Sequence, residues 1–173
     1  MKRSDIKQLP SYFSAYINLV EDIELKNALE KSVEQINSID ITLLEKIGLK
    51  TYAEGKWSTH KIIQHIIDWE RIWCYRTLLF VRNEGTIPSG HNENLMADNC
   101  NADELPISQL IDELRIVRMS TLAFFNSLSE QHYAINCQFI NYEMSVLAMG
   151  FNIIGHQLHH FNVIQERYVP LAS

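Results

Sequence analysis

Proline placement sets the outer limits of what this chain can build. Proline occurs four times, at Pro10, Pro88, Pro106 and Pro170, so the stretches 11–87 and 107–169 carry none. In a helix interior proline removes a backbone donor and clashes with the preceding turn. Its absence from both stretches leaves room for long uninterrupted helices on either side of a polar middle segment. At 173 residues the chain reads as a single domain, 1–173. A domain of this size buries a real core without disulfide or metal staples. The cysteines agree: Cys74, Cys100 and Cys137 are odd in number and form no C-x-x-C, which argues against a disulfide framework or a thiolate zinc site.

Hydrophobic periodicity fills those stretches with four helices. The first is predicted from about 22 to 36, carrying Leu25, Ala28, Leu29, Val33 and Ile36 at helical spacing. An earlier turn is possible within 11–20, and one or two more within 40–47. The second begins at Ser58, a good N-cap, and runs to about Arg82. Ile62, Ile66, Trp69, Trp73 and Phe80 lie on one stripe of it, with His65 at the stripe's edge. Residues 83–105, rich in Gly, Pro, Ser and Asn, read as an irregular crossover too long for a bland connection. The third helix is predicted over 108–128, followed by a short irregular or extended link over 133–142. The architecture expected is therefore all-α, a four-helix bundle with a long crossover between its second and third helices.

The fourth helix, predicted over 143–168, carries no Asp, Glu, Lys or Arg between Glu143 and Glu166. Leu147, Phe151, Ile154, Leu158 and Phe161 line one face; Met149, Ile153, His156, His160 and Val163 line the other. A helix apolar on both faces is buried on both. A bundle core accounts for one face, so the other predicts a second subunit and a homodimer. Gly150 and Gly155 each cost about 1 kcal/mol relative to alanine in a helix, which points to close helix approach.

Charge narrows the partners. Fifteen basic against 21 acidic side chains give a net charge of −6. That balance excludes nucleic acid as the main partner, because phosphate binding depends on clustered Lys and Arg. The N-terminal residues lack an apolar signal core, and no run of about 18 apolar residues exists to span a membrane. A cytoplasmic location is the default expectation.

Histidine carries the chemistry. Five of the seven His fall in two clusters, His60 and His65 in the first, and His156, His159 and His160 in the second. His156 and His160 are spaced i, i+4 and share one helical face, the bite of many zinc and nickel sites. His159 could replace His160 as a ligand, although it projects about 100° away from it. His65 is the natural third ligand, set beside an apolar stripe on another helix. The alternative for each is a partly buried, hydrogen-bonded imidazole. Asp68, one turn beyond His65, could orient a ligand imidazole or could be an exposed helix carboxylate. Glu70 is a further candidate for a base or supporting group. His60 is expected at the surface or entrance of a site; His91 and His132 have no role, unless the crossover brings His91 to a site. Trp57, Trp69 and Trp73 read as core. Cys74, nine residues beyond His65, lies about 13–14 Å along the helix axis and is not placed as a nucleophile. No G-x-S-x-G, P-loop, H-E-x-x-H or G-x-G-x-x-G pattern occurs.

Three elements together, Gly55-Lys56-Trp57-Ser58, then His65-Ile66-Ile67-Asp68-Trp69-Glu70-Arg71, then Gly155-His156-Gln157-Leu158-His159-His160 with Glu166-Arg167-Tyr168, resemble the DinB/YfiT-like superfamily over about residues 11–170. The resemblance implies a four-helix bundle, often dimeric, holding one divalent metal ion per chain, zinc or nickel, on His65, His156 and His160. His159 would then be a neighbour and not a ligand. Family members include metal-dependent hydrolases and transferases of low-molecular-weight thiols, so the resemblance implies a small-molecule substrate and a Lewis-acid metal. Relatives often carry a Phe-Asp-Glu-like stretch in the crossover. Here the corresponding residues are His91-Asn92-Glu93-Asn94, and that position is not carried over. The reading of a different class is a non-catalytic dimeric bundle with a structural or adventitious metal, or a small-ligand binder.

Overall fold

The computed structural model describes residues 1–172. About 65% of the chain is helical. In chain order the elements are α1 (Ser14–Ile17), α2 (Leu25–Asn37), α3 (Ile41–Ile47), α4 (Thr59–Val81), α5 (Glu93–Asn99), α6 (Ile107–Asn126), α7 (Glu130–Tyr133), the hairpin β1 (Asn136–Gln138) and β2 (Glu143–Ser145), and α8 (Val146–Val163). Short 3-10 turns and a π turn over Ile164–Tyr168 complete the chain. The bundle helices are α2, α4, α6 and α8. Helix α2 packs beside α6 and α8, and α4 packs beside the same two. Consecutive long helices are therefore not all neighbours: α2 and α4 lie across a diagonal, as do α6 and α8.

Caps start the helices where the sequence supplies them. Ser58 Oγ accepts from the Lys61 amide (3.1 Å) at α4, Asp40 Oδ1 from the Leu43 amide (2.9 Å) at α3, and Ser145 Oγ from the Ala148 amide (3.2 Å) at α8. Two boundaries differ from the sequence expectation. Residues 83–105 are not wholly irregular, because Asn92 caps the seven-residue α5 through the Leu95 amide (3.1 Å). A helix of under two turns that buries Ala97 alone leaves no periodic signal. The last helix starts at Val146 and not at Glu143, because Glu143–Ser145 pairs antiparallel with Asn136–Gln138. Cys137 and Met144 face inward from that hairpin.

Two apolar cores fill the bundle. One gathers Phe13, Ile17, Leu25, Trp73, Phe125 and Phe151; the other gathers Ile36, Ile63, Ile67, Leu110, Leu114 and Tyr168. A polar layer divides them. Each bundle helix contributes buried polar side chains between its two sets of core residues: Ser32, Glu70, Arg118 with Thr121, and Gln157. Arg118 Nε and Nη2 donate to the two Glu70 carboxylate oxygens, each at 2.8 Å, and Nη1 donates to Ser32 Oγ at 2.6 Å.

Part of the second apolar face of α8 is buried within the chain, while His156, His160 and Val163 on it stay partly exposed. Met149 and Ile153 are 0% and 2% exposed, and α1 packs on this helix. Gly155 makes the contact possible: a Cβ there would lie 2.1 Å from the Tyr16 carbonyl oxygen and 2.4 Å from its carbon. Gly150 admits Leu25 in the same way, with a Cβ falling 2.6 Å from a leucine methyl. No helix among the described residues is long and apolar enough to cross a membrane.

Candidate metal centre

Helices α4 and α8 bring three imidazoles together. His65 is buried on α4, and His156 and His160 stand partly exposed one turn apart on α8. His156 Nε2 lies 3.1 Å from His65 Nε2 and 3.0 Å from His160 Nε2, and the candidate ligand atoms all fall within 4.8 Å of one another. An imidazole nitrogen offers either one N–H or one lone pair. The His156 nitrogen therefore satisfies only one of its two close neighbours by hydrogen bonding. A cation satisfies all three. Nitrogens bound 2.0–2.1 Å from a tetrahedral zinc stand about 3.3 Å apart, close to the separations found here.

Electrostatics keep these rings in the ligating form. Burial lowers the His65 pKa to about 4, with the neighbouring His159 adding to the effect. Burial likewise lowers His160 to about 3, helped by His65 and His159. His156 lies well below its ordinary value, first through burial and then through the surrounding imidazoles. All three are neutral at pH 7, as metal ligation requires.

Aromatic rings wall the cluster. The Trp57 ring centroid lies 4.9 Å from that of His65, and Trp69 lies 6.2 Å from it. Tyr16 of α1 stands 5.6 Å from His156 and 5.1 Å from His159. Trp57 is fixed from the far end of α8, where the π turn points the buried Tyr168 hydroxyl at the Trp57 carbonyl. Such π turns recur at functional sites. Of the three tryptophans read as core, only Trp73 is fully buried.

The other candidates take different places. Both Glu70 oxygens accept from Arg118. Asp68 Oδ1 accepts from Gln64 Nε2 at 2.8 Å, and burial raises its pKa. Among the hydrogen bonds of the described residues, neither carboxylate reaches a triad imidazole. His159 packs edge-on against Tyr16 and His160 (5.0 Å). His60 is not at the surface: it is 7% exposed, its Nδ1 has no partner among the described residues, and burial lowers its pKa. Neighbouring Ser58 donates to Asp103, which closes the crossover over the start of α4. His132 Nδ1 accepts from the Ser129 amide (3.1 Å) at the start of α7. His91 does reach the site, lining with Trp69 and His156 a cavity of about 340 Å³. Cys74 is held near Thr121 Oγ1 (3.2 Å), and burial pushes its thiol up to about 11, so it is no thiolate nucleophile.

Two buried arginines escaped the sequence reading. Arg118 follows Leu110 and Leu114 at four-residue intervals, and Arg76 stands between Trp73 and Phe80. A basic residue in register with an apolar stripe was the available signal.

Fold and site together define a class: a four-helix bundle with a three-histidine centre between two of its helices. The family comparison agrees, since residues 40–164 match the model of the DinB superfamily. The chain belongs to the DinB superfamily. No curated protein matches it. Among solved structures it resembles YfiT from Bacillus subtilis, described as a probable metal-dependent hydrolase with an unusual four-helix bundle topology. That match has 13% identity and a TM-score of 0.66, covering 92% of this chain and 88% of the other.

Proposed function

We propose that this protein is a divalent-metal-dependent hydrolase acting on a small molecule, with the metal held by His65, His156 and His160. The observation that carries the reading is the convergence of three neutral Nε2 atoms at 3.0–3.1 Å around His156. Three protein ligands leave a coordination position open, the mark of a catalytic rather than a structural zinc site. Zinc or nickel suits an all-imidazole set. A bound divalent ion would supply Lewis acidity, lowering the pKa of a ligand water toward neutrality. The chain's own part is to hold the rings neutral, to orient them between two helices, and to wall the centre with Trp57, Trp69 and Tyr16. The likeness to a protein of the same fold described as a probable metal-dependent hydrolase supports the reaction class.

The family also supports a second chemistry, transfer of a low-molecular-weight thiol. With Cys74 raised to about 11 and Cys137 to about 12 by burial, that thiol would come from solution. The test begins with metal analysis of untagged protein, where about one divalent ion per chain is expected, lost in His156→Ala with the helical spectrum retained. A panel of ester and amide hydrolysis and thiol conjugation, run with and without chelator, then reads the reaction. Absence of metal, or metal loss that unfolds the bundle, overturns the catalytic reading in favour of a binding or structural role.

A further inference from the structure

The cavity beside His156 contains a charge with no counterpart. Arg76 of α4 is 3% exposed, and no carboxylate lies within ion-pairing distance of it among the described residues. Two of its five N–H donors are engaged: Nη2 donates to the Ser89 carbonyl at 2.9 Å and Nη1 to the Tyr142 hydroxyl at 3.4 Å. Its guanidinium lies against Trp73 (4.9 Å to the ring centroid), Trp69 and Phe139 (each 5.6 Å). Aromatic faces compensate a buried cation in part. They do not replace an anion, and a buried charge without one is costly.

Two further orphans belong to residues that line the same space. Asn152 of α8 lines the cavity at 1% exposure, and its Oδ1 has no partner among the described residues; neither has Trp69 Nε1. Native structures rarely leave several buried polar atoms unpaired around one cavity unless a ligand completes them. Tyr12, Phe13, Tyr16 and Trp73 line the cavity with aromatic rings, and His91, Asn92 and Glu93 complete it. At about 340 Å³ the cavity matches the lower range of small-molecule pockets. It extends from Arg76 to His156.

We propose that Arg76 is the anchor for an oxyanion, a carboxylate or a phosphate, on a small substrate with an apolar body lying between the aromatic rings and its reacting end at the three-histidine centre. This deepens the hydrolase reading by naming the substrate class, and rests on it only for where the reacting end lies. The free N–H groups of Arg76 supply charge-assisted hydrogen bonds to the oxyanion. Trp69 Nε1 is an additional donor, and Asn152 Oδ1 selects a ligand carrying an N–H or O–H group. Glu93 at the cavity rim faces the opposite way in charge. It disfavours anions until Arg76 outweighs it.

The experiment is a calorimetric titration of chelator-treated, metal-free protein with benzoate, benzamide and phenyl phosphate. Arg76 is the one lysine or arginine that lines the cavity among the described residues. Benzoate or phenyl phosphate should bind at least about tenfold more tightly than benzamide, the factor a charge-assisted hydrogen bond provides. The better of the two anions identifies the oxyanion. Arg76→Gln should abolish the preference, and Arg76→Lys should retain part of it. Glu93→Gln should tighten anion binding. Equal binding of anion and amide by the wild-type protein overturns the proposal whether or not any variant folds, as does a preference that survives Arg76→Gln. The same titration on zinc-loaded protein keeps this outcome apart from the hydrolase reading: an anion preference in metal-free protein stands even if no hydrolysis is found.

Discussion

Glutamate 70 was a candidate for the site by its sequence neighbourhood, and its environment assigns it to the bundle interior instead. That assignment predicts a specific pattern in a double-mutant cycle. Glu70 is 2% and Arg118 0% exposed, and the pair is bidentate at 2.8 Å. Glu70→Leu removes the anion and strands a buried guanidinium. Arg118→Met strands a carboxylate with no donor. Each single change leaves one buried charge or its neutralised form unsatisfied, which costs about 3–5 kcal/mol. Glu70→Leu combined with Arg118→Met removes both charges at similar volume, and such exchanges are neutral or stabilising. Ser32 survives the change, since its hydroxyl still donates to the Leu29 carbonyl at 2.6 Å. The double variant should therefore lie within about 1 kcal/mol of wild type, with a coupling energy of about 5 kcal/mol or more. For a domain of this size each single change lowers Tm by roughly 6–20 °C, at about 2–4 °C per kcal/mol. Urea unfolding of metal-free protein followed by circular dichroism measures all four corners of the cycle. At saturating metal the stoichiometry of the double variant should equal wild type, because Glu70 does not touch the triad, and a weaker affinity would report only the lost tie between helices. Singles that each cost under about 1 kcal/mol, or costs that simply add in the double, would refute the buried-pair argument. Loss of metal in a well-folded double variant would return Glu70 to the site.

Three more outcomes follow from the same structure. His65→Ala and His160→Ala should each lower zinc affinity by at least an order of magnitude in competition with a chromophoric chelator, whereas His159→Ala should change it little, since three ligands define the site. The metal-free protein should lose stability as pH falls below 6.5: the unfolded imidazoles bind protons near that pH, while folded His65 refuses them until about pH 4 and folded His160 until about pH 3. At pH 5 each of these two residues costs about 2 kcal/mol, so urea midpoints should fall between pH 7 and pH 5 more steeply than in His65→Gln/His160→Gln; equal slopes would contradict the shifts. Gly155→Ala should be destabilising despite the roughly 1 kcal/mol that alanine gains in a helix, because its methyl falls 2.1 Å from the Tyr16 carbonyl oxygen and overpacking costs about 1–3 kcal/mol or more; a Tm at or above wild type would show that α1 yields easily.

Periodicity and caps made the long helices legible. Ser58 marked the start of α4, and the charge gap after Glu143 marked α8, because both signals are local. The triad was legible too, since His156 and His160 share a face by helical spacing and the family motifs supplied His65. Relations between helices were not. Glu70 and Arg118 are 48 residues apart in sequence, and neither residue alone reveals that the other neutralises it. The same limit holds for α8. Leu147 and Met149 both demand burial, but nothing local says that Thr77 of α4 will meet Met149 or that a four-residue helix near the N-terminus will pack on α8 as well. His60 looked exposed because the first turn of a helix is usually accessible; the crossover residue Asp103 lies over it through Ser58.

The triad and the polar layer occur together for a mechanical reason. All three His sit in helix interiors rather than loops, so their mutual geometry is the relative position of α4 and α8. The same two helices carry Glu70 and Gln157, whose side chains lie within the bundle at the level where one apolar core gives way to the other. Apolar packing alone tolerates small slides of one helix on another. A bidentate ion pair does not, because its two 2.8 Å bonds fix direction as well as distance. Glu70 ties α4 to α6, Arg118 ties α6 to α2 through Ser32, and the Gln157 amide meets the Ser32 carbonyl at 3.5 Å. These bonds link α4 to α8 through the other two helices, while Gly155 lets α1 press on α8 beside His156. Ligand nitrogens 3.0–3.1 Å apart depend on that register, so the buried charges serve the site by holding its helices, without touching it.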